Sequence, residues 1–189
     1  ATNNANLTLI ANDNAANSAN RGGTGIGSIS LTSGITLSTS GANTITLTIG
    51  TTNNANFKPG AINIAGNLTT ASGGSVVLNL PTPNSGPNSV ISGTITTTKK
   101  TKNTGAGQLT ISGSNSFLGT STLTLQSGSG TTIASNVGAF NNLTNASIAS
   151  GTTLQYSTNS LNNTGTNYTI NGTGNGGIGA LVFNGTTGA

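Results

Sequence analysis

Short clusters in which an apolar residue alternates with Thr, Ser or Asn recur along the whole chain. Alternation with a period of two indicates β-strands that bury one face. Thr, Ile and Val suit such a pleated, half-buried surface. No stretch shows a helical period, and the Ala- and Asn-rich region 13–20 is interpreted as a loop. The predicted strands are Leu7–Ile10, Ile29–Leu31, Ile35–Leu37, Ile45–Ile49, Ile62–Ile64, Val76–Leu80, Val90–Thr98, Leu109–Ile111, Leu123–Leu125, Ala146–Ala149, Thr153–Tyr156, Tyr168–Ile170 and Leu181–Phe183.

Turn signals separate these clusters. Gly and Asn supply the positive φ angles that tight corners need. The corners are predicted at Ser33-Gly34, Ser40-Gly41, Ser72-Gly73, Ser112-Gly113, Ser127-Gly128, Ser150-Gly151 and Asn171-Gly172. The segment Pro81–Pro87 contains three prolines, which cannot pair inside a central strand, so it is predicted to form a loop or an irregular corner.

Two all-β architectures fit this pattern, a sandwich or barrel and a parallel β-solenoid. The strands are very short, and large side chains are scarce: the chain has four Phe, two Tyr and no Trp. A narrow solenoid interior needs only small aliphatic residues, and stacked corners let Asn, Ser and Thr form ladders. We therefore expect residues 1–189 to form a single β-solenoid segment of roughly nine coils, at about twenty residues per coil.

Composition excludes several classes of protein. Polarity without charge raises the alternative of disorder, but the β-branched clusters favour an ordered chain. The formal net charge of +4 comes from only five basic residues and one acidic residue, without a basic stripe interleaved with aromatics, so nucleic acid is not an expected partner. No apolar run approaches the length of a membrane span. Because the chain has no Cys, the redox compartment in which the protein works cannot be inferred.

Catalytic chemistry lacks its usual residues. The chain has one carboxylate side chain, Asp13, and neither His nor Cys. Glycoside hydrolysis needs two carboxylates, nucleophilic catalysis needs a base beside the nucleophile, and calcium or zinc sites need several acidic, Cys or His ligands. A lysine base, Lys58 or Lys99, is the remaining formal route. We therefore predict a protein that is not an enzyme and holds neither a cofactor nor a metal.

Two segments resemble a known family. Residues 103–120 run as Gly-Ala-Gly, a Leu-Thr-Ile strand, Ser-Gly and then Asn-Ser-Phe before a Gly corner, which resembles the autotransporter-associated β-strand repeat. Residues 169–181 are similar to the Gly-rich link between such repeats, and residues 7–31 resemble coils of haemagglutinin-like surface proteins. The resemblance implies a right-handed β-solenoid in a long secreted bacterial protein, used as a passenger, adhesin or matrix component. It also implies that this chain is a fragment or a repeating unit.

The function expected is structural: an extracellular or cell-surface filament built by stacking copies of this chain, or continuations of it, end to end. The open strand edges at the two ends would mediate it, and they are predicted at Leu7, Leu9, Ile10, Leu181, Val182 and Phe183. One alternative is an adhesin stalk that binds polysaccharide or a host surface, with exposed aromatics lining a groove.

Charged and Thr-rich positions suggest further contacts. Lys99, Lys100 and Lys102 either solvate a corner and blunt an edge or contact an anion such as an acidic polysaccharide. Asp13 and Arg21 either pair across a loop or remain solvated. Thr-x-Thr strands raise the alternative of an ice-binding face, against which the irregular spacing of the strands argues. These Thr residues are Thr46, Thr48, Thr94, Thr96 and Thr124.

Overall fold

The computed structural model describes residues 4–12, 25–50, 57–71, 73–80, 88–97, 100–104, 108–117, 120–158 and 165–185, with the side chains of 25, 26, 57–59, 100–104, 116 and 117 left out of that description. The described residues form eighteen β-strands and one turn of 3₁₀ helix, Asn175–Gly177. All strand pairs are parallel, which confirms the predicted all-β class. The predicted loops at 13–20 and Pro81–Pro87, and with them Asp13 and Arg21, lie outside the described residues.

The strands belong to three sheets, which we call A, B and C. Sheet A contains β1 (Leu7–Ala11), β4 (Thr44–Ile49), β7 (Ser75–Asn79), β10 (Lys100–Thr104), β13 (Thr122–Leu125), β15 (Asn145–Ile148) and β17 (Asn167–Ile170). Sheet B contains β2 (Gly25–Leu31), β5 (Phe57–Ile64), β8 (Ser89–Ile91), β11 (Leu109–Ile111), β14 (Gly130–Ala134), β16 (Thr152–Tyr156) and β18 (Leu181–Phe183). Sheet C contains β3 (Thr36–Thr39), β6 (Asn67–Thr70), β9 (Ile95–Thr97) and β12 (Ser116–Phe117).

The chain visits the three sheets in rotation, and each pass adds one layer. The first four layers each contribute a strand to A, B and C, and the last three layers contribute strands to A and B alone within the described residues. Each strand therefore pairs with strands of the layers before and after it, never with its neighbour in sequence. Parallel strands need such long connections, because a tight turn reverses the chain.

The length of a pass differs along the chain. Leu7 pairs with Ile45, Thr44 with Ser75 and Asn145 with Asn167, which are offsets of 38, 31 and 22 residues. The connections from sheet A to sheet B account for much of this difference, since residues 12–24 link β1 to β2 and residues 126–129 link β13 to β14. The expectation of nine passes of about twenty residues is wrong for the described chain, in which sheets A and B each have seven strands.

The hydrophobic core lies between the sheets. Strands such as β4 alternate half-exposed and buried side chains along their whole length. The buried residues of all three sheets form one cluster, with Ile45, Ile62 and Leu68 each fully excluded from solvent. Because the side-chain period of a strand is two, a constant register keeps every inward position on the same row from layer to layer. The interior is thus a set of parallel rows, most of whose buried members are apolar.

One interior row of sheet C contains three threonine hydroxyls. Thr39 pairs with Thr70 in sheet C, and Thr97 lies in the next layer. All three are buried, the Thr70 hydroxyl donates to the Thr97 hydroxyl at 2.9 Å, and that of Thr97 donates to the Gly74 carbonyl at 3.1 Å. These hydrogen bonds offset the free-energy cost of removing the polar groups from water.

The corner between sheets B and C contains a column of glycines. A Cβ on Gly93 would overlap the Gly66 carbonyl oxygen, and a Cβ on Gly113 would overlap the Gly93 carbonyl oxygen. Hydrogen bonds hold the backbones of successive layers this close together. The amides of Ser92 and Gly93 both donate to the Ile64 carbonyl, and those of Ser112 and Gly113 both donate to the Ile91 carbonyl. Ser112-Gly113 was predicted as a corner; Ser92-Gly93 was instead expected inside a single strand, Val90–Thr98, which this corner divides into β8 and β9.

Positive φ angles mark the other predicted corners. Gly34, Gly41, Gly73, Gly128, Gly151 and Gly172 all adopt them, as the turn signals indicated. Four further strands, β6, β10, β12 and β14, were not predicted. In the part of the chain that the structure describes, no helix has the length and hydropathy needed to cross a membrane.

Candidate self-assembly interface

Among the described residues, sheets A and B each have an edge strand on either side. Strands β1 and β2, both of the first layer, are the edge strands at one end, and β17 and β18, both of the seventh layer, are the edge strands at the other. Sheet C has its edges at β3 in the first layer and at β12 in the fourth. An edge strand presents unpaired N–H and C=O groups, which are a template for another strand.

At the last layer, the apolar rows of the interior reach solvent. Ile148 is fully buried, whereas Ile170, its partner in the same row, is 46% exposed. In sheet B, Tyr156 is 2% exposed and its partner Phe183 is 56% exposed. The seventh layer therefore has the side chains of a core, and no further layer covers them within the described residues.

An aromatic group fixes the shape of this end. The rings of Tyr156 and Phe183 stack at 5.4 Å with 8° between their planes, and Phe140 meets Tyr156 edge to face at 5.9 Å. The hydroxyls of Tyr156 and Tyr168 lie 2.9 Å apart in a hydrogen bond that joins sheet B to sheet A. Aromatic pairs contribute about 0.5–1.5 kcal/mol beyond the area they bury, so the last layer is well ordered although it is half exposed.

At the opposite end, the inward apolar side chains of the first layer are also partly exposed. Leu7, Leu9 and Ala11 are half-buried, and their partners in β4 (Ile45, Leu47 and Ile49) are buried. Polar groups tie the layer to the second one: the Thr44 amide donates to Asn6 Oδ1 at 2.8 Å, and the Gly50 amide donates to the Ala11 carbonyl at 2.7 Å. The apolar rows of the core are open here too.

Exposed apolar side chains are concentrated at these two ends. Five of the seven large apolar side chains that are exposed in the described residues belong to the first or the last layer. They are Ile10, Ile35, Ile170, Ile178 and Phe183, while Val90 and Val137 lie between. Contiguous exposed apolar surface marks interaction sites in folded proteins.

The structure divides the predicted edge residues into two groups. Leu7, Leu9, Leu181 and Phe183 lie on inward rows, whereas Ile10 and Val182 alternate with them and lie on the outer faces of the sheets. The pattern missed β2 and β17 as edges, with the inward rows of Ile29, Leu31, Tyr168 and Ile170. Their alternation was visible in the sequence, but nothing in it indicated that they belong to the outermost layers.

Two of the three clustered lysines lie in a strand. The backbone of Lys100 and Lys102 lies in β10, which pairs with β7 on one side and β13 on the other. The expectation that the clustered lysines solvate a corner and blunt an edge is therefore wrong for Lys100 and Lys102. Lys99 and the side chains of Lys100 and Lys102 lie outside the described residues, and the anion contact stays a prediction.

Thr46, Thr48 and Thr124 occupy the outer face of sheet A in a regular register, whereas Thr94 lies in the link between β8 and β9. Thr46 and Thr48 lie on sheet A and pair with Val77 and Asn79, and Thr124 pairs with Ser147 further along. Irregular spacing in sequence is therefore compatible with regular strand pairing in sheet A. The Thr row is broken by other residues, first of all by Val77 between Thr46 and the later layers.

The aromatic side chains do not form an exposed row in the described part of the chain. Phe140 and Tyr156 are buried, Tyr168 is half-buried, and Phe183 stacks on Tyr156. Among the same residues, no three His, Cys, Asp or Glu side chains gather into a group suited to a metal ion. The open ends are thus the most distinctive surfaces that the structure describes.

Comparison with known proteins identifies no relative, since no family model, no curated protein and no solved structure matches the chain.

Proposed function

We propose that the three sheets are the faces of one right-handed parallel β-solenoid with seven turns in the described residues. The proposal is supported by the rotation of the chain through sheets A, B and C, by the parallel pairing in each and by the single core cluster that they share. The hand follows from the general rule that connections between parallel strands of one sheet are right-handed in about 98% of cases.

This solenoid is a structural, non-catalytic component of an extracellular filament, and its copies stack end to end. The observation that carries the proposal is that the apolar rows of the core open to solvent at both ends, at β1 and β2 and at β17 and β18. A repeat protein that stays separate in solution needs terminal repeats with a polar outer face. The inward rows of these four strands are apolar instead.

A role outside the cell is supported by the resemblance of residues 103–120 to autotransporter-associated repeats and by the scarcity of groups that do chemistry. The adhesin alternative keeps the same location and differs in what the outer faces bind. No described feature favours the adhesin or the ice-binding alternative over the filament.

The test compares assembly of the wild-type chain with that of two variants. Ile170→Asp places a charge on an open inward row, and Val137→Asp places one at a similarly exposed position in the middle of the molecule. Electron microscopy and sedimentation at rising concentration should show filaments for the wild type and for Val137→Asp. Ile170→Asp should remain dispersed, because burying an unpaired carboxylate at the junction costs several kcal/mol.

Circular dichroism of both variants checks that each is folded. A wild-type chain that stays monomeric at its highest soluble concentration would contradict the proposal, and so would equal assembly of the two variants.

A further inference from the structure

The edge strands of sheets A and B belong to the same layer on each side of the described residues. Each sheet has seven strands, and the edge strands β1 and β2 belong to the same layer, as do β17 and β18. A second copy that continues sheet A therefore meets the edge of sheet B at the same level. Sheet C has no strand in the last layer of the described residues, so the proposed pairing between two copies involves sheets A and B.

The rows of sheet A keep one register through the described layers. Ala146 pairs with Tyr168, and Ile148 pairs with Ile170, at the last step. At the first step, Leu7 and Leu9 pair with Ile45 and Leu47, on the same two rows. These two rows are thus apolar at both ends.

Two inward rows of sheet B are also apolar at both ends. Tyr156 and Phe183 share a row that begins at Leu31, and Leu154 and Leu181 share a row that begins at Ile29. The exposed rings of the last layer thus occupy rows that start with Leu in the first layer.

We propose that the partner of each end is the opposite end of a second copy, joined head to tail in continuous register. In this junction, β17 pairs with the second copy's β1 and β18 with its β2, all parallel. Tyr168 then covers Leu7, Ile170 covers Leu9, Leu181 covers Ile29 and Phe183 covers Leu31 of the neighbour. The inference rests on the proposed filament and specifies its junction.

A junction between two like ends fits the structure less well. A two-fold axis turns the paired strands antiparallel, whereas the strand pairs of the last layers are parallel. The head-to-tail junction keeps both edge strands parallel to their partners and on the inward rows described above.

Cysteine cross-linking tests the register, because the native sequence contains no Cys. Thr8 and Thr169 lie on the outer face of sheet A, where both are exposed, and the proposed register places them side by side. Their Cα atoms should be about 4.8 Å apart, within the range that a disulfide spans. Equal amounts of Thr8→Cys and Thr169→Cys chains are mixed, assembled and oxidised.

We expect a disulfide-linked dimer in this mixture, and its loss when Asn167→Cys replaces Thr169→Cys, since that register error separates the Cα atoms by about 8 Å. Neither Thr8→Cys nor Thr169→Cys alone should form it. A dimer of Thr8→Cys alone indicates like-to-like ends and overturns the proposed register.

Wild-type filaments provide an independent measurement. Continuous stacking of seven layers gives an axial repeat of about 34 Å by fibre diffraction or electron microscopy. Filaments with another repeat, or without the specific cross-link, overturn the register and leave the filament proposal standing. Absence of filaments from the wild-type chain contradicts the proposed function itself.

Discussion

Close backbone approach decides the role of individual residues at the corner between sheets B and C. Gly66, Gly93 and Gly113 are needed there for space, since the carbonyl of the preceding layer lies where each Cβ would be. Gly128 is needed for a different reason, because its φ is +77° while the space around it is open. The two kinds of glycine should respond differently to the same substitution.

We expect Gly93→Ala to lower the free energy of unfolding by about 3 kcal/mol or more, because neither backbone can move without breaking the hydrogen bonds of the column. Gly128→Ala, its matched control, should cost about 1–2 kcal/mol, the strain of a left-handed residue with a Cβ. Urea unfolding followed by circular dichroism measures both. Equal losses of unfolding free energy in the two variants would show that the glycine column has room for a Cβ, contrary to the overlap described above.

Strands that lack an apolar alternation depend on their neighbours. β10, Lys-Thr-Lys-Asn-Thr, has no aliphatic residue, yet it lies between the strongly alternating β7 and β13. In β14, the inward positions hold Thr132 and Ala134, while Ile133 lies on the half-exposed face. The register with adjacent layers, and not the local pattern, makes these segments strands.

This dependence explains what the sequence could and could not predict. Strands such as β4 and β7 were predicted because each alternates along its whole length. β6 and β10 were missed because tertiary pairing overrides a weak local pattern. The edge rows at Tyr168 and Ile170 look like any core strand, and only the topology shows that no described layer covers them.

Connections differ in their tolerance to length. The links from sheet A to sheet B vary from layer to layer, so their length is not fixed by the register. A Gly-Ser insertion between Ser127 and Gly128 should cost about 1 kcal/mol or less, the small entropy of a longer loop. The same insertion between Ser112 and Gly113 should cost about 3 kcal/mol or more, because it breaks the glycine column. Thermal and urea midpoints of the two variants compare them.

At the scale of the whole molecule, each described strand pairs only with strands of the layers beside it. The stability of such an array is close to a sum of terms for each layer and each interface between layers, so terminal layers are the least protected. Leu78 and Ile91 lie in the third layer and are fully buried, whereas Leu9 and Ile170 lie at the ends.

Hydrogen exchange should follow this gradient. In the dispersed chain, amides of β7 and β8 should exchange slowest and those of β1, β17 and β18 fastest. On assembly, we expect protection to rise at β1, β2, β17 and β18 and to stay unchanged in the middle, because only the ends gain partners. Mass spectrometry of the dispersed and assembled chain measures the change, and uniform protection before assembly would contradict the layered description.

The placement of lysines in inner strands affects how the chain is degraded. Proteases that cleave after basic residues bind their substrates as extended, unpaired segments. Lys58 lies in β5, and Lys100 and Lys102 lie in β10, which is hydrogen-bonded to β7 on one side and to β13 on the other. Cleavage there requires at least three layers to separate first. A material made of this chain would therefore resist cleavage by trypsin-like enzymes after Lys100 and Lys102 without any disulfide.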